Sequence, residues 1–263
     1  VVAEDTAAAS LLARELPLFL PEGHELLTLP DWETLPYDNF SPHQDIVSDR
    51  LRALHRLPRQ SGGVLILPMS ALMQRLPPRH YIEANSLELA TGQTLDVEKL
   101  RNALIKSGYR LVDTVYEHGE FALRGSLMDI FPMGSGLPLR IDLLDNEIDT
   151  LRSFDPETQR TLAKLEEVEL LPAREFPLDR SSVQAFQQRW FARFDVDHDQ
   201  CPTFTELSAG RAPGGAEYYL PLFFDACELL TDYLPEEAAI ITVGDHHGAA
   251  ERFWHEAERR HED

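Results

Sequence analysis

The chain has 263 residues, 43% of them hydrophobic, which allows one large domain or two to three small ones, each with its own core. Its 45 acidic residues against 24 Lys and Arg give a net charge of −21. Such a surface repels phosphate and makes free duplex DNA a poor partner unless a local basic stripe exists, and none is visible in the residue order. No apolar run reaches the 18 residues of a membrane-spanning helix, and nothing reads as a signal peptide. Cys201 and Cys227 lack metal-ligand spacing, so reduced thiols in a cytoplasmic protein are expected.

In chain order, Val1–Ala3 reads as a strand. The opening VVAED looks like a strand end running into a turn, which predicts that a segment precedes it. Asp5 or Thr6 is placed to cap a helix through about Phe19, with Ala8, Leu11, Leu12, Leu16 and Phe19 on its apolar side. After Pro21 and Gly23, Glu25–Leu29 is a short strand. Asp31 to Phe40 has no period and reads as a loop. Ser41-Pro42 predicts a helix start, followed by an Ile46, Val47, Leu51, Leu54 stripe. Val64–Leu67 is a bare apolar run after Gly62-Gly63, as in a buried parallel strand. Ser70 is placed to cap a short helix ending before Pro77-Pro78. Strands alternating with helices predict an α/β sheet over this first part.

The character then changes. Leu87–Leu89 reads as a strand, and Asp96 caps a helix carrying Val97, Leu100 and Leu104 on one face, ended by Gly108. Tyr109 to Asp155 consists of short apolar–polar alternations broken by Gly, Pro and Asp-Asn, the signature of antiparallel strands with tight turns. In LPLRIDLLDNEIDTL, alternation puts Leu139, Ile141 and Leu143 on one face and Arg140, Asp142 and Leu144 on the other. Asp145-Asn146 fits a two-residue hairpin turn. Beyond Pro156, Val168–Leu171 reads as a strand returning to the first sheet. Asp179 begins a helix with Val183, Phe186, Trp190 and Phe194 on one side. Asp195–Gly215 reads as loop. Tyr218–Phe224 and Ile240–Val243 read as strands, the latter leading into a helix near Gly248–Arg260.

Chemical sites are sparse. A phosphate-binding P-loop needs Gly-Lys-Ser/Thr. The three lysines, Lys99, Lys106 and Lys164, none of them after a glycine, exclude that route to nucleotide binding. His247, Glu251 and His255 are spaced four apart and would share a helix face, yet a solvated face with Glu–Arg pairs explains them better than a metal. His43 with Asp45, and His118 with Glu117 and Glu120, are neighbours of a kind common by chance. Trp32 and Tyr37 fit packing of their loop better than base stacking, because no basic cluster adjoins them. The catalytic, cofactor and metal sets are therefore empty.

The stretch DWETLPYDNFSPHQDIVSDR resembles a segment shared by the excision-repair helicase UvrB and the transcription-repair coupling factors (Mfd). The meander EHGEFALRGSLMDIFPMGSGLPLRIDLLDNEID is similar to both families, while LMQRL, FPMGSGLP, LLPAREFP and the final VGD…AERF are closer to the coupling factors. The resemblance covers essentially the whole chain. It implies an N-terminal UvrB-like module: a degenerate helicase-like α/β domain of the UvrB 1A/1B type (1–78 and 155–263), into which a small α+β domain of the UvrB domain 2 type (79–154) is inserted. The ATP- and Mg-using motor and the contacts to RNA polymerase and DNA then lie downstream. The inserted domain is the family's dock for UvrA, masked in the full-length protein by a downstream domain. By match of motif, Arg124 in FALRG and Arg140 in LPLRID are the UvrA-contacting arginines. Leu144 stands where the family often has an aromatic. An arginine beside an exposed apolar residue suits an interface hot spot. The rival reading, a UvrB-type helicase fragment that retains nucleotide or DNA binding, is opposed by the missing Gly-Lys pair.

Overall fold

The computed structural model describes residues 1–60, 62–197 and 200–262. Strands β1 (Val2–Ala3), β2 (Glu25–Thr28) and β3 (Gly63–Pro68) alternate with helices α1 (Thr6–Glu15) and α2 (Gln44–Arg56), and α3 (Met69–Leu72) and α4 (Arg79–Ala84) follow. The sheet is parallel, as the bare apolar run of β3 predicts. β3 lies centrally, with β2 on one side and β1 on the other, and β12 (Thr242–Val243) pairs with β1 at the edge.

Several expectations shift here for physical reasons. Asp5 caps α1 by accepting from the Ala8 amide, but Leu11, 45% exposed, lies off the side that packs Ala8, Leu12 and Leu16, and Phe19, 80% exposed, stands past a 3-10 turn at Leu16–Leu18. α2 starts at Gln44, not at Ser41-Pro42. The His43 ring accepts from the Asp45 amide as its cap, while the Ser41 hydroxyl is drawn away to Glu217 Oε2 at 3.0 Å. α3 is entered from Pro68, so Ser70 lies inside the helix rather than at its cap.

The second unit is built on β4 (Leu87–Ala90), α5 (Val97–Lys106), β5 (Arg110–Leu111), β6 (Glu120–Arg124), β7 (Leu127–Ile130), β8 (Leu139–Leu144), β9 (Glu147–Phe154), β10 (Thr161–Leu165) and β11 (Glu167–Leu170). β5 to β10 form one six-stranded sheet in sequence order, antiparallel except at β5–β6. The hairpin at Asp145-Asn146 forms, and Asp145 takes the positive φ of 54° that its short polar side chain tolerates. The expected boundary at residue 154 falls inside this unit, since β10 adds an edge strand beyond it. Val168–Leu171 does not return to the first sheet: β11 pairs antiparallel with β4, forming a two-stranded ladder that closes the unit.

The remaining helices are α6 (Arg180–Arg193), α7 (Pro202–Ser208), α8 (Leu230–Tyr233) and α9 (His246–Glu262). Asp179 caps α6 through the Ser181 and Ser182 amides, and Val183, Phe186 and Trp190 are buried while Phe194 stands just past the helix end. The stretch 195–215 contains α7 rather than loop alone, and Tyr218–Phe224 is mostly a 3-10 helix (Ala216–Leu222) instead of a strand. Its Tyr219, Leu220 and Leu222, with Phe223, pack a small aromatic core with α6, in which Phe186 stacks on Phe223 at 4.9 Å. Among the described residues no helix is long and apolar enough to cross a membrane.

The two sheets share one hydrophobic core. Leu27, Leu51 and Leu54 of the parallel unit join Leu170 and Leu171, which join Phe121, Ile141 and Leu151 of the antiparallel one. At the centre of the seam with the chain's return, Arg50 is 0% and Glu175 2% exposed. Arg50 Nε meets Glu175 Oε1 at 2.6 Å and Nη2 meets Oε2 at 3.2 Å, while Nη1 donates to Pro30 O and Gln74 Oε1, both at 2.8 Å. Trp32 Nε1 donates to Glu175 Oε1 at 3.0 Å, and its ring lies 4.8 Å beneath the guanidinium. Trp32 is thus a buried structural residue. A buried carboxylate and guanidinium are tolerable only because nearly every donor and acceptor is satisfied.

His55, also buried, sits between two partners of opposite kind. Its Nε2 lies 2.6 Å from Glu169 Oε1 and its Nδ1 2.9 Å from Arg59 Nη1. Arg59 can only donate, so Nδ1 must be unprotonated and the ring neutral. Burial lowers the His55 pKa, against the opposing pull of Glu169.

Two outcomes follow. Glu175→Ala leaves Arg50 buried and unpaired and is expected to cost about 3–5 kcal/mol, a drop of about 10 °C in melting temperature; pairing it with Arg50→Met recovers part of the loss. A melting temperature unchanged in the single variant contradicts this. For His55, the depressed folded-state pKa means its contribution is complete above the ordinary histidine value of about 6.5 and is lost as pH falls through the folded value. Thermal melts should therefore show a falling midpoint from pH 7.5 to 5.5, with a shallower fall in His55→Asn; parallel curves contradict it.

Candidate partner-binding face

The register of the six-stranded sheet decides which residues share a face. Met128, Ile130, Leu139, Ile141 and Leu151 point into the core with Leu100 and Leu104 of α5. The opposite face carries two cross-strand rows. One is Arg124, Leu127, Asp142 and Thr150; the other is Ala122, Asp129, Arg140, Arg152 and Lys164. Leu144 lies on the same face, one pleat beyond Asp142. The structure therefore brings Arg124, Arg140 and Leu144 onto one surface, with Arg124 and Leu144 separated by two strand spacings and one pleat, about 12 Å.

Their environments differ. Leu144 is 69% exposed, a large apolar side chain on a solvated strand. Arg124 is exposed at the end of β6, and its Nη2 donates to Asp113 O at 2.6 Å and to Thr114 Oγ1 at 3.1 Å. These bonds fix the stem while the rest of the guanidinium stays open. Arg140 is only 20% exposed. It makes a two-pronged contact with Asp129, Nε–Oδ1 at 2.7 Å and Nη2–Oδ2 at 2.9 Å, donates from Nη1 to Gln159 O at 3.3 Å, and lies 4.7 Å over the Phe154 ring. Asp129 holds the guanidinium proton more tightly than usual. The fork that would grip a partner carboxylate is thus already occupied within the chain. Arg140 covers the edge of a small buried apolar cluster of Val115, Ala122, Phe131 and Phe154, lying over the Phe154 ring.

Sequence reading missed Asp129, Arg152 and Lys164. Alternation in LMDI already sets Asp129 opposite Met128 and Ile130, but its partner Arg140 emerges only from the cross-strand register. The same register gathers Arg140, Arg152 and Lys164 into a local basic row that residue order conceals within a chain of net charge −21. The row also holds Asp129, which pairs with Arg140, so Arg152 and Lys164 are its remaining cations.

The other candidates resolve differently. His118 does not pair with Glu117 or Glu120. Its Nδ1 meets Asp45 Oδ1 of α2 at 2.7 Å and its Nε2 meets Ser135 O at 2.8 Å, so it joins the two units. His43 serves as a helix cap. His247 pairs with Glu251 at 3.3 Å on an exposed helix face, and among the described residues no group of three His, Cys, Asp or Glu is placed to hold a metal ion. Tyr37 is exposed and stacks on His261 at 5.5 Å.

Because Asp129 is buried behind Arg140, Arg140→Ala strands a carboxylate and is expected to destabilise the fold by about 2–4 kcal/mol, visible as a lower denaturant midpoint. Leu144→Ala, at a solvated position, should stay within about 0.5 kcal/mol of the parent. Equal stability of the two variants contradicts this division of roles.

Residues 87–176, which enclose the whole antiparallel sheet and its closing ladder, match the UvrB interaction domain. Over 96% of its length the chain is 45% identical to the transcription-repair-coupling factor of Escherichia coli strain K12, and over its full length it is 43% identical to that of Haemophilus influenzae. The Bacillus subtilis counterpart is 26% identical over 84% of the chain. The chain spans 22%, 23% and 20% of these three relatives, respectively. Along its whole length the chain is thus similar to part of the transcription-repair-coupling factors, and residues 87–176 match a UvrB interaction domain.

Proposed function

We propose that the chain is a non-catalytic adaptor of DNA repair whose six-stranded sheet docks UvrA, and that it thereby recruits nucleotide excision repair to a stalled RNA polymerase. The observation that carries this reading is the exposed Leu144 on the same face of the sheet as the exposed Arg124, about 12 Å away, inside the segment that matches the UvrB interaction domain. An apolar side chain with a nearby arginine supplies both desolvated area and directional hydrogen bonds, the usual makeup of an interface hot spot. The α/β unit, which we read as a degenerate helicase-like body of the UvrB 1A/1B type, has the role of a rigid mount. The ATP- and Mg-dependent motor and the polymerase and DNA contacts belong to the remaining four-fifths of the relatives' length. A downstream domain that masks the same face in the longer protein fits this reading.

The occupied fork of Arg140 assigns it a positioning part. Direct contact falls to Arg124 and Leu144, with Arg152 at the margin. In a titration of the chain against purified UvrA, Arg124→Ala and Leu144→Ala are each expected to weaken binding by about 1–2 kcal/mol without changing the melting temperature. Arg140→Lys keeps the charge but not the two-pronged contact, so its effect on binding should follow its effect on stability. Unchanged affinity in both Arg124→Ala and Leu144→Ala moves the dock elsewhere, and ATP turnover by the chain alone overturns the adaptor reading.

A further inference from the structure

A groove of about 1060 Å³ opens between the 31–40 loop, the C-terminal end of α6 and the segment from Gly214 to Cys227. It lies in the α/β part of the chain, and its role is independent of that of the antiparallel sheet. Three arginines from separate elements line it: Arg75 just past α3, and Arg189 and Arg193 on α6. Two carboxylates also reach it, and both are engaged. Asp38 accepts from Arg260 of α9 and from the Leu35 amide, and Asp225 is paired with Arg189. Arg75 and Arg193 are exposed and have neither an ion pair nor a hydrogen bond to a side chain or carbonyl among the described residues. Apolar walls complete the groove. Tyr37 is 57% and Phe194 36% exposed, and Tyr219 leans on Trp190 at 5.5 Å.

In a chain of net charge −21, two cations without an acidic partner among the described residues face one aromatic-walled groove. We propose that this groove binds a short acidic peptide segment of a protein partner. Carboxylates of the segment engage Arg75 and Arg193, and an aromatic or aliphatic side chain packs against Tyr37, Tyr219 and Phe194. The field argues for a short segment over a nucleic-acid strand. A polyanion carries its charge past the groove onto the acidic surface on either side, whereas a peptide places a few carboxylates where the arginines are.

Cys227 provides an internal reporter. It lines the groove, half-buried, close enough to Arg75 and Arg189 to sense both charges. The test uses a fluorescein-labelled peptide of about eight residues, Glu and Asp around a central Phe-Leu pair, followed by anisotropy at low salt. Saturable binding is expected, weakened about tenfold or more by the Arg75→Glu/Arg193→Glu pair and unaffected by Arg101→Glu on α5, outside the groove. In a Cys201→Ser background, saturating peptide should slow iodoacetamide alkylation of Cys227. No saturable binding, undiminished affinity in the folded charge-reversed variant, or unslowed alkylation overturns the proposal. An oligothymidylate of the same length that binds more tightly than the peptide also overturns it, in favour of a nucleic-acid site.

Discussion

The buried pair of Arg50 and Glu175 is the constraint on which the architecture rests. Glu175 arrives after the whole antiparallel unit has been traversed, 125 residues beyond Arg50, so the pair forms only when that unit has folded out and returned. Its satellites extend the requirement. Pro30 and Trp32 fix the loop after β2, and Gln74, held in turn by Asp31 at 2.7 Å, fixes the end of α3. A purely apolar seam of the same volume would cost less to desolvate. The polar network instead accepts one arrangement of four chain segments.

A second set of contacts sets how the antiparallel unit stands on this base. Ser48 of α2 accepts the Gly134 amide at 2.8 Å, and the His118 ring bridges Asp45 to Ser135 O. The Tyr109 hydroxyl donates to Leu171 O at 2.7 Å and accepts from the Met133 amide at 3.2 Å. Gly134 takes a φ of +81°, which favours glycine over any residue with a side chain. The FPMG turn is therefore clamped from both sides. Since β8 starts five residues after Gly134, the clamp fixes the strand that carries Arg140 and Leu144. Position thus passes from the α2 seam to the exposed face through rigid, hydrogen-bonded backbone.

Much of this was legible in the residue order. The alternation in β8 separated its two faces, Asp96 and Asp179 announced their helices, and the bare run of β3 announced a buried parallel strand. What failed did so because tertiary partners overrode local signals. Ser41 looked like a cap but is taken by Glu217; the YYLPLFF stretch has strand composition, yet Pro221 and aromatic packing hold most of it as a 3-10 helix. Val168–Leu171 was recognisable as a strand, but its partner β4 lies some 80 residues upstream and no periodicity encodes that choice. The candidate site shows the same division. Leu144 was visible by alternation and Arg124 by likeness of motif, whereas the burial of the Arg140 fork by Asp129 depends on a register between β7 and β8.

We take the second face of the six-stranded sheet to be a protein dock carried by a rigid base. Hydrogen exchange of the chain, measured alone and with saturating UvrA, tests it most directly. Slowing concentrated between residues 110 and 165, with the amides of α1, α6 and α9 unchanged, is the predicted result. Slowing confined to the parallel sheet and its helices, with the antiparallel strands unaffected, contradicts it.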